Sequence, residues 1–177
     1  LTQLKDALAP LYRQMATEGK NFGGMSIMQH AKSIRKLVKR TNATTLLDYG
    51  SGAGGAYKET KFCRDIGIPW HQVTLYDPAF LEHAKKPKEG KKFDGVLCSD
   101  VLEHIPEDEV PAFIQELFNY AKRFVWASVC CRPAGKTFPN GITNLHVTIY
   151  PMEWWHERFK EASATNLGAV YHLVETP

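Results

Sequence analysis

The sequence predicts an α/β fold, a mostly parallel twisted sheet with helices on both faces, and three observations carry that expectation. Short apolar runs suited to buried strands alternate with segments of helical periodicity, the pattern of strand–helix–strand units. The first apolar run, TTLLDYG, opens directly into a glycine-rich turn at Gly50, Gly52, Gly54 and Gly55. The second run ends in Asp77-Pro78, at the carboxyl edge where open sheets of this kind place their ligands. A chain of 177 residues is most simply one domain with a single core.

Each element has its own signal. Leu4, Leu8, Leu11, Tyr12 and Met15 recur at helical spacing over residues 2–17, with Pro10 as a kink or break. Gly23 and Gly24 punctuate, Ser26 suits an N-cap, and Ile27, Ala31, Ile34, Leu37 and Val38 mark a second helix. After the glycine turn, Tyr57, Phe62, Cys63 and Ile66 predict one helix closed by Gly67, and residues 72–76 a second strand. FDGVLCS (93–99) reads as the third strand. Only fifteen residues separate Asp77 from Phe93, barely enough for one complete crossover, so a further strand there is vestigial or missing. Pro106 is placed at a helix N1 position, Glu107, Asp108 and Glu109 suit the positive end of its dipole, and Val110, Phe113, Ile114, Leu117 and Ala121 form its buried stripe. FVWASVCC (124–131) predicts a fourth strand, 145–150 an extra strand, 151–166 a helix and 169–175 a closing strand.

Composition excludes several classes. No apolar stretch approaches the ~20 residues of a membrane helix, and the apolar and charged fractions are those of a globular chain. Leu1 stands where a Met would, and no basic-apolar-small leader follows, which predicts a trimmed, processed or fragmentary cytoplasmic chain. Four cysteines without metal-ligand spacing fit a reducing compartment, and Cys98, Cys130 and Cys131 read as small hydrophobes within apolar runs. The net charge of +3 and two lysine-rich segments without interleaved aromatics give no case for nucleic acid as a partner.

The glycine turn alone leaves its ligand open. Gly50, Gly52 and Gly55 satisfy G-x-G-x-x-G, whereas Asp48-x-Gly50-x-Gly52-x-Gly54 suits a cofactor held by adenosine and amino-acid ends. In either case the following helix is expected to aim free N–H groups at the bound molecule. Asp77 can accept both hydrogen bonds of a ribose diol, and Pro78 offers an apolar ledge for adenine; an Asp after a strand is equally a turn former.

Beyond the third strand the chain reads SDVLEHIPED. DYGSGAG, LYDP and FDGVLCSDVLEHIPED, in that order, resemble the class I S-adenosylmethionine-dependent methyltransferases, in the type 11/type 23-like branch that carries an L-E-H-hydrophobic-Pro segment. The resemblance spans about residues 44–129 and implies a single Rossmann-like methyltransferase domain, 1–177, reduced from the usual seven strands. It divides into a helical leader (1–43), a cofactor-binding core (44–131) and an acceptor-side loop, helix and closing strand (132–177). By position, Asp48, Gly50, Ser51, Gly52 and Gly54 would surround the methionine part of S-adenosylmethionine. Asp77 would hold the ribose, Pro78 would lie near adenine, and Ser99 and Asp100 would border the sulfonium and substrate.

The implied reaction is methyl transfer to an oxygen or nitrogen of a small or medium-sized acceptor. A base is needed only if that acceptor must lose a proton, and Asp100, Glu103, His104 and His146 are the candidates. Asp100, Glu103 and His104 also stand at i, i+3 and i+4, so a helical turn there would put two carboxylates and an imidazole on one face. That arrangement resembles the E-x-x-E-H metal sites of small-RNA 2′-O-methyltransferases and ubiquinone-pathway O-methyltransferases, with Asp100 in place of the first Glu and His146 as a candidate distant ligand. Set against it is a metal-free site in which Glu103 caps or pairs locally and His104 packs beneath the sheet edge. A methyltransferase-like binding protein without turnover and a nicotinamide dehydrogenase complete the alternatives.

The irregular loop 132–146 has the length and placement of a functional segment. Arg132, Lys136, Asn140, Asn144 and His146 are its candidate acceptor contacts, the two cations favouring an anionic group. Of the adjacent Trp154 and Trp155, one is expected in the core and the other in a lid or partner surface. Tyr12 and the turn Phe22-Gly23-Gly24 are placed over the cofactor from the opposite side.

Overall fold

Five strands form one all-parallel sheet in the order β2-β1-β3-β4-β5: β1 is Leu46–Tyr49, β2 Val73–Tyr76, β3 Phe93–Ser99, β4 Ala121–Val129 and β5 Val170–Glu175. The computed structural model describes residues 10–15, 17, 22–138 and 144–176. The helices with full bounds are α1 (Ala31–Thr41), α2 (Gly55–Lys58), α3 (Phe62–Ile66), α4 (Val110–Tyr120) and α5 (Met152–Ala164). Among the described residues no helix is long and apolar enough to cross a membrane.

Why β1, β3 and the second half of β4 are mainly apolar is visible in their two faces. Successive side chains alternate across a strand, so Leu47, Val96, Val125 and Ala127 join α4 and α5 in one core, with Phe113, Ile114, Leu117, Trp155 and Phe159. Leu46, Leu97, Phe124 and Trp126 enter a second core with Ile34, Leu37 and Val38 of α1 and Tyr57, Phe62 and Ile66 of α2 and α3. A parallel sheet covered on both faces has no polar alternation to show. The entry to β1 is tied down by Asp94 on β3. Its Oδ2 accepts from the Thr44 N–H and hydroxyl, each at 2.8 Å, and from the Thr45 N–H at 3.2 Å, while Arg123 Nε donates to Oδ1 at 3.4 Å. Burial works against the charge, but these donors hold the Asp94 carboxyl down at about 2.

Several elements depart from the sequence expectation for identifiable reasons. The helix after the glycine turn is two helices, because the Thr60 hydroxyl donates to the Ala56 carbonyl and accepts from the Phe62 N–H, taking the place of helical backbone bonds. Gly67 does close α3, at φ +83°. Ser26 does not cap: a 3₁₀ turn, Ser26–His30, precedes α1, without a side-chain cap bond. Pro106 precedes another 3₁₀ turn, Glu107–Glu109, and the proline in the first turn of α4 is Pro111. Ala121 belongs to β4, which follows α4 with no intervening loop and stops at Val129, two residues before the expected end. Residues 145–150 form no strand; the Val147 and Thr148 N–H groups both donate to the Glu103 carbonyl, at 2.9 and 3.1 Å, which fastens this segment to the 3₁₀ turn Leu102–His104 that follows β3. Residues 77–92 hold turns but no helix or strand, so the described sheet has five strands, not seven.

In the leader, residues 10–15 are helical, and Leu11, Tyr12 and Met15 pack with Phe22, Phe138 and Leu145. Leu4 and Leu8 of the expected helix lie outside the described residues.

Candidate active site

The carboxyl ends of β1, β2 and β3 converge on a cavity of about 450 Å³. Gly50, Gly52, Asp77, Pro78, Ser99 and Asp100 line it, as the sequence places them. Asp48, Ser51 and Gly54 do not; Asp48 and Ser51 are buried beneath the turn, and Gly54 sits at φ +73°. Burial pushes the Asp48 carboxyl up to about 7, the Tyr57 hydroxyl opposing the shift and Asp77 adding to it.

The glycine turn is held by other backbone, not left open. Gly50 and Ser51 donate to the Tyr76 carbonyl at 2.8 and 3.2 Å, and Ala53, Gly55 and Ala56 donate to the carbonyls of Phe22, Gly23 and Gly24 at 3.0, 2.8 and 3.3 Å. The expected free N–H groups at the helix start are therefore spoken for by the leader. The glycines permit this approach: a Cβ on Gly52, at φ +56°, would strike the Phe22 carbonyl, and one on Gly24, at φ +69°, the Ser51 carbonyl. Phe22, Gly23, Gly24 and Tyr12 consequently form a wall of the cavity, on the side where the sequence put them.

Asp77 links the turn to β2. Its Oδ2 accepts from the Gly52 N–H and its Oδ1 from the Ala79 N–H, both at 2.8 Å. Burial raises its pKa although these two donors favour the charged form. Each carboxylate oxygen has a second lone pair, so a ribose diol can still be accepted.

Asp100 has left-handed backbone, φ +54°, which ends β3 and breaks any helical turn through residues 100–104. The Ser128 and Thr176 hydroxyls donate to its Oδ1 at 2.8 and 2.5 Å. Glu103 and His104 lie instead on a 3₁₀ turn, Leu102–His104. The expected Asp100/Glu103/His104 face is thus not assembled.

His104 divides two cavities. It lines the first together with Phe22, and both also line a second cavity, of about 550 Å³, with Cys130, Arg132, Lys136 and His146. The His104 Nδ1 lies 2.9 Å from the Leu145 carbonyl and 3.0 Å from the Tyr12 hydroxyl. A carbonyl only accepts, so Nδ1 carries the proton and Nε2 the lone pair. Burial lowers the His104 pKa to about 4, the Leu145 carbonyl opposing and His146 reinforcing, which keeps the ring neutral at pH 7. Glu103 is wholly buried; its Oε1 accepts from the Cys130 N–H at 3.0 Å. Burial pushes its carboxyl up to about 8.

In the loop, Arg132 and Lys136 are exposed at the second cavity, while Asn144 is structural: its Oδ1 accepts from the Ala134 and His146 N–H groups, both at 2.9 Å. Asn140 lies outside the described residues. Trp155 is core, as one of the pair had to be. Trp154 stacks on Tyr150 with ring centroids 4.3 Å apart and carries Arg158 over its face; it lines neither cavity. Sequence reasoning missed Cys130, which it read as strand core, and the apolar lining from Val101 and Phe113. Cys130 and Val101 carry as their sequence signal only proximity to the ends of β4 and β3, and Phe113 only its place in the α4 stripe.

A five-stranded parallel sheet with helices on both faces and a cavity over the carboxyl ends of its strands defines a Rossmann-like α/β domain. The family model for a methyltransferase domain matches residues 3–165, and the chain belongs to that family. Comparison with curated proteins and with solved structures finds no match.

Proposed function

We propose that this chain is an S-adenosylmethionine-dependent methyltransferase that methylates an oxygen or nitrogen atom of a small or medium-sized, anionic acceptor. The observation that carries the reading is the pair of adjoining cavities sharing His104 and Phe22, one bordered by the Gly50–Gly52 turn and Asp77, the other by Arg132 and Lys136.

The residues present suit an adenosyl cofactor. The first cavity is of the size small-ligand pockets have, mostly apolar, with two acidic groups, Asp77 after β2 and Asp100 after β3. Asp77 would accept the ribose hydroxyls, Gly50 and Gly52 would let a polar chain lie against bare backbone, and Pro78 and Ala79 would flank the base. S-adenosylmethionine supplies an electrophilic methyl on a sulfonium, whose leaving sulfur is neutral. The protein's part is then alignment and exclusion of water, and proximity of that kind is worth about 7–11 kcal/mol. Where the acceptor must lose a proton, the free Nε2 of neutral His104 is the group placed between the two cavities to receive it. Arg132 and Lys136 would orient the acceptor's negative charge. The four cysteines, all free, fit a reducing cytoplasm.

Calorimetry with S-adenosylhomocysteine tests the reading directly. Micromolar binding with a matching rise in thermal stability is expected; no heat and no thermal shift would refute it. Methyl transfer to a panel of anionic metabolites then separates an enzyme from a binding protein that lacks turnover.

A further inference from the structure

Glu103, Cys130 and His146 come together beside the second cavity, each offering one ligand atom within 4.8 Å of the other two. They arrive from three separate segments: the 3₁₀ turn after β3, the residue following β4, and the returning arm of the 132–146 loop. Each is already held in place by its other polar atoms. Glu103 Oε1 accepts from the Cys130 N–H. The His146 Nδ1 donates to the Arg132 carbonyl at 2.5 Å, and its backbone N–H donates to Asn144. The Cys130 thiol lies 3.7 Å from the Arg132 carbonyl, and the atoms these contacts leave without a strong partner are the His146 Nε2, the thiol sulfur and Glu103 Oε2.

Glu103 has no exposed surface, and its Oε2 has no hydrogen-bond partner among the described residues. A buried carboxylate oxygen is ordinarily paired, and one left without a partner calls for an ion or a donor.

We propose that Glu103, Cys130 and His146 form a binding site for a divalent cation of the Zn²⁺ class. Sulfur, nitrogen and oxygen donors in one set favour a borderline-soft ion over Mg²⁺, which prefers oxygen alone. Tetrahedral Zn²⁺ with bonds of about 2.0–2.3 Å brings its donors to less than about 4 Å from one another, so side-chain shifts of about 1 Å close the site. The Nδ1–H bond to a backbone carbonyl is the outer contact that fixes a metal-binding histidine with Nε2 free. Binding forms a metal–thiolate and a metal–carboxylate bond and releases to solvent the Cys130 proton and the proton that burial keeps on Glu103 at pH 7. Three protein ligands leave a fourth position on the cavity side, where an acceptor oxygen or nitrogen can coordinate; this role, unlike the binding itself, rests on the methyltransferase reading.

The test is a spectroscopic titration of the intact chain with Co²⁺, followed by displacement with Zn²⁺. A thiolate-to-cobalt charge-transfer band saturating at one ion per chain is expected, abolished by Cys130→Ser and retained by Cys131→Ser. Glu103→Gln and His146→Gln are each expected to weaken Co²⁺ binding tenfold or more. Circular dichroism and thermal unfolding check that each variant folds, and the two Gln variants decide the matter if Cys130→Ser does not. Absence of the band in the intact chain, or its survival in Cys130→Ser, overturns the proposal. S-adenosylhomocysteine affinity measured on the same samples separates the two readings: an intact band without cofactor binding sinks only the methyltransferase, and cofactor binding without a band sinks only the metal site.

Discussion

Replacing Asp77 by Asn is the sharpest probe of how the wall of the proposed cofactor cavity is built. The aspartate uses one oxygen for the Gly52 N–H and the other for the Ala79 N–H, both at 2.8 Å. An asparagine supplies a single acceptor oxygen, so in either orientation of its amide one backbone N–H meets an NH₂ group and loses its partner. An unsatisfied donor costs about 1–3 kcal/mol. Taking about 2 kcal/mol, the Tm of the ligand-free chain is expected to fall by about 4–8 °C for a domain of this size. On the proposed function binding suffers separately, because the charge-assisted bonds that Asp77 would make to the ribose, at about 1.5–3 kcal/mol, would be weakened, which corresponds to about a 10- to 100-fold loss of affinity. Differential scanning fluorimetry of the ligand-free protein reads the first effect and calorimetry with S-adenosylhomocysteine the second. An unchanged Tm would refute the structural role assigned to the carboxylate. A lowered Tm with unchanged affinity would refute its role toward the ribose.

Two further predictions concern the frame that carries this wall. Asp94, held down at about 2 by Thr44, Thr45 and Arg123, has a folded pKa below its unfolded value, so its stabilisation is present above about pH 4 and disappears as the pH falls toward 2. Asp94→Asn is expected to lower stability by about 2 kcal/mol at pH 7 and by much less near pH 2, read by urea unfolding at the two pH values; equal losses at both would contradict the linkage. Gly95, on β3, leaves room for its neighbours: a Cβ there would lie 2.5 Å from Phe124 Cε1 and 2.7 Å from Leu46 Cδ2. Gly95→Ala is expected to cost about 1–3 kcal/mol by overpacking, with cofactor affinity retained; an unaltered urea midpoint would show that the core yields more freely than the contacts imply.

What was legible in the sequence follows from how each feature is encoded. β3 appears at its expected bounds because a strand buried on both faces is mainly apolar, its one charge, Asp94, being satisfied by Thr44, Thr45 and Arg123, and the α4 stripe of Val110, Phe113, Ile114 and Leu117 is buried as its spacing requires. The glycine turn was legible because close backbone approach demands glycine. Its partner was legible only as punctuation, since the carbonyls of Phe22, Gly23 and Gly24 that accept from Ala53, Gly55 and Ala56 have no side-chain signature. For the same reason the free helix N–H groups expected of such a turn were lost to a contact that periodicity does not encode. The Thr60 break between α2 and α3 likewise depends on one hydroxyl outcompeting the helical ladder locally.

The most consequential difference is a boundary of two residues. An apolar run that continues through Cys131 gives no sign that the ladder stops at Val129, so Cys130 reads as one more small hydrophobe in the sheet. Once β4 ends at Val129, Cys130 lies beyond the carboxyl edge, the place where a parallel sheet gathers its chemistry, and its N–H binds Glu103 while its sulfur faces His146. The spacing of Asp100, Glu103 and His104 pointed to a cluster on one helical face. Left-handed backbone at Asp100 removed that face and turned Asp100 toward Ser128 and Thr176. Glu103 then found its partners across the sheet edge instead of along the chain, which is why the identity of the residue was readable from sequence and the composition of its site was not.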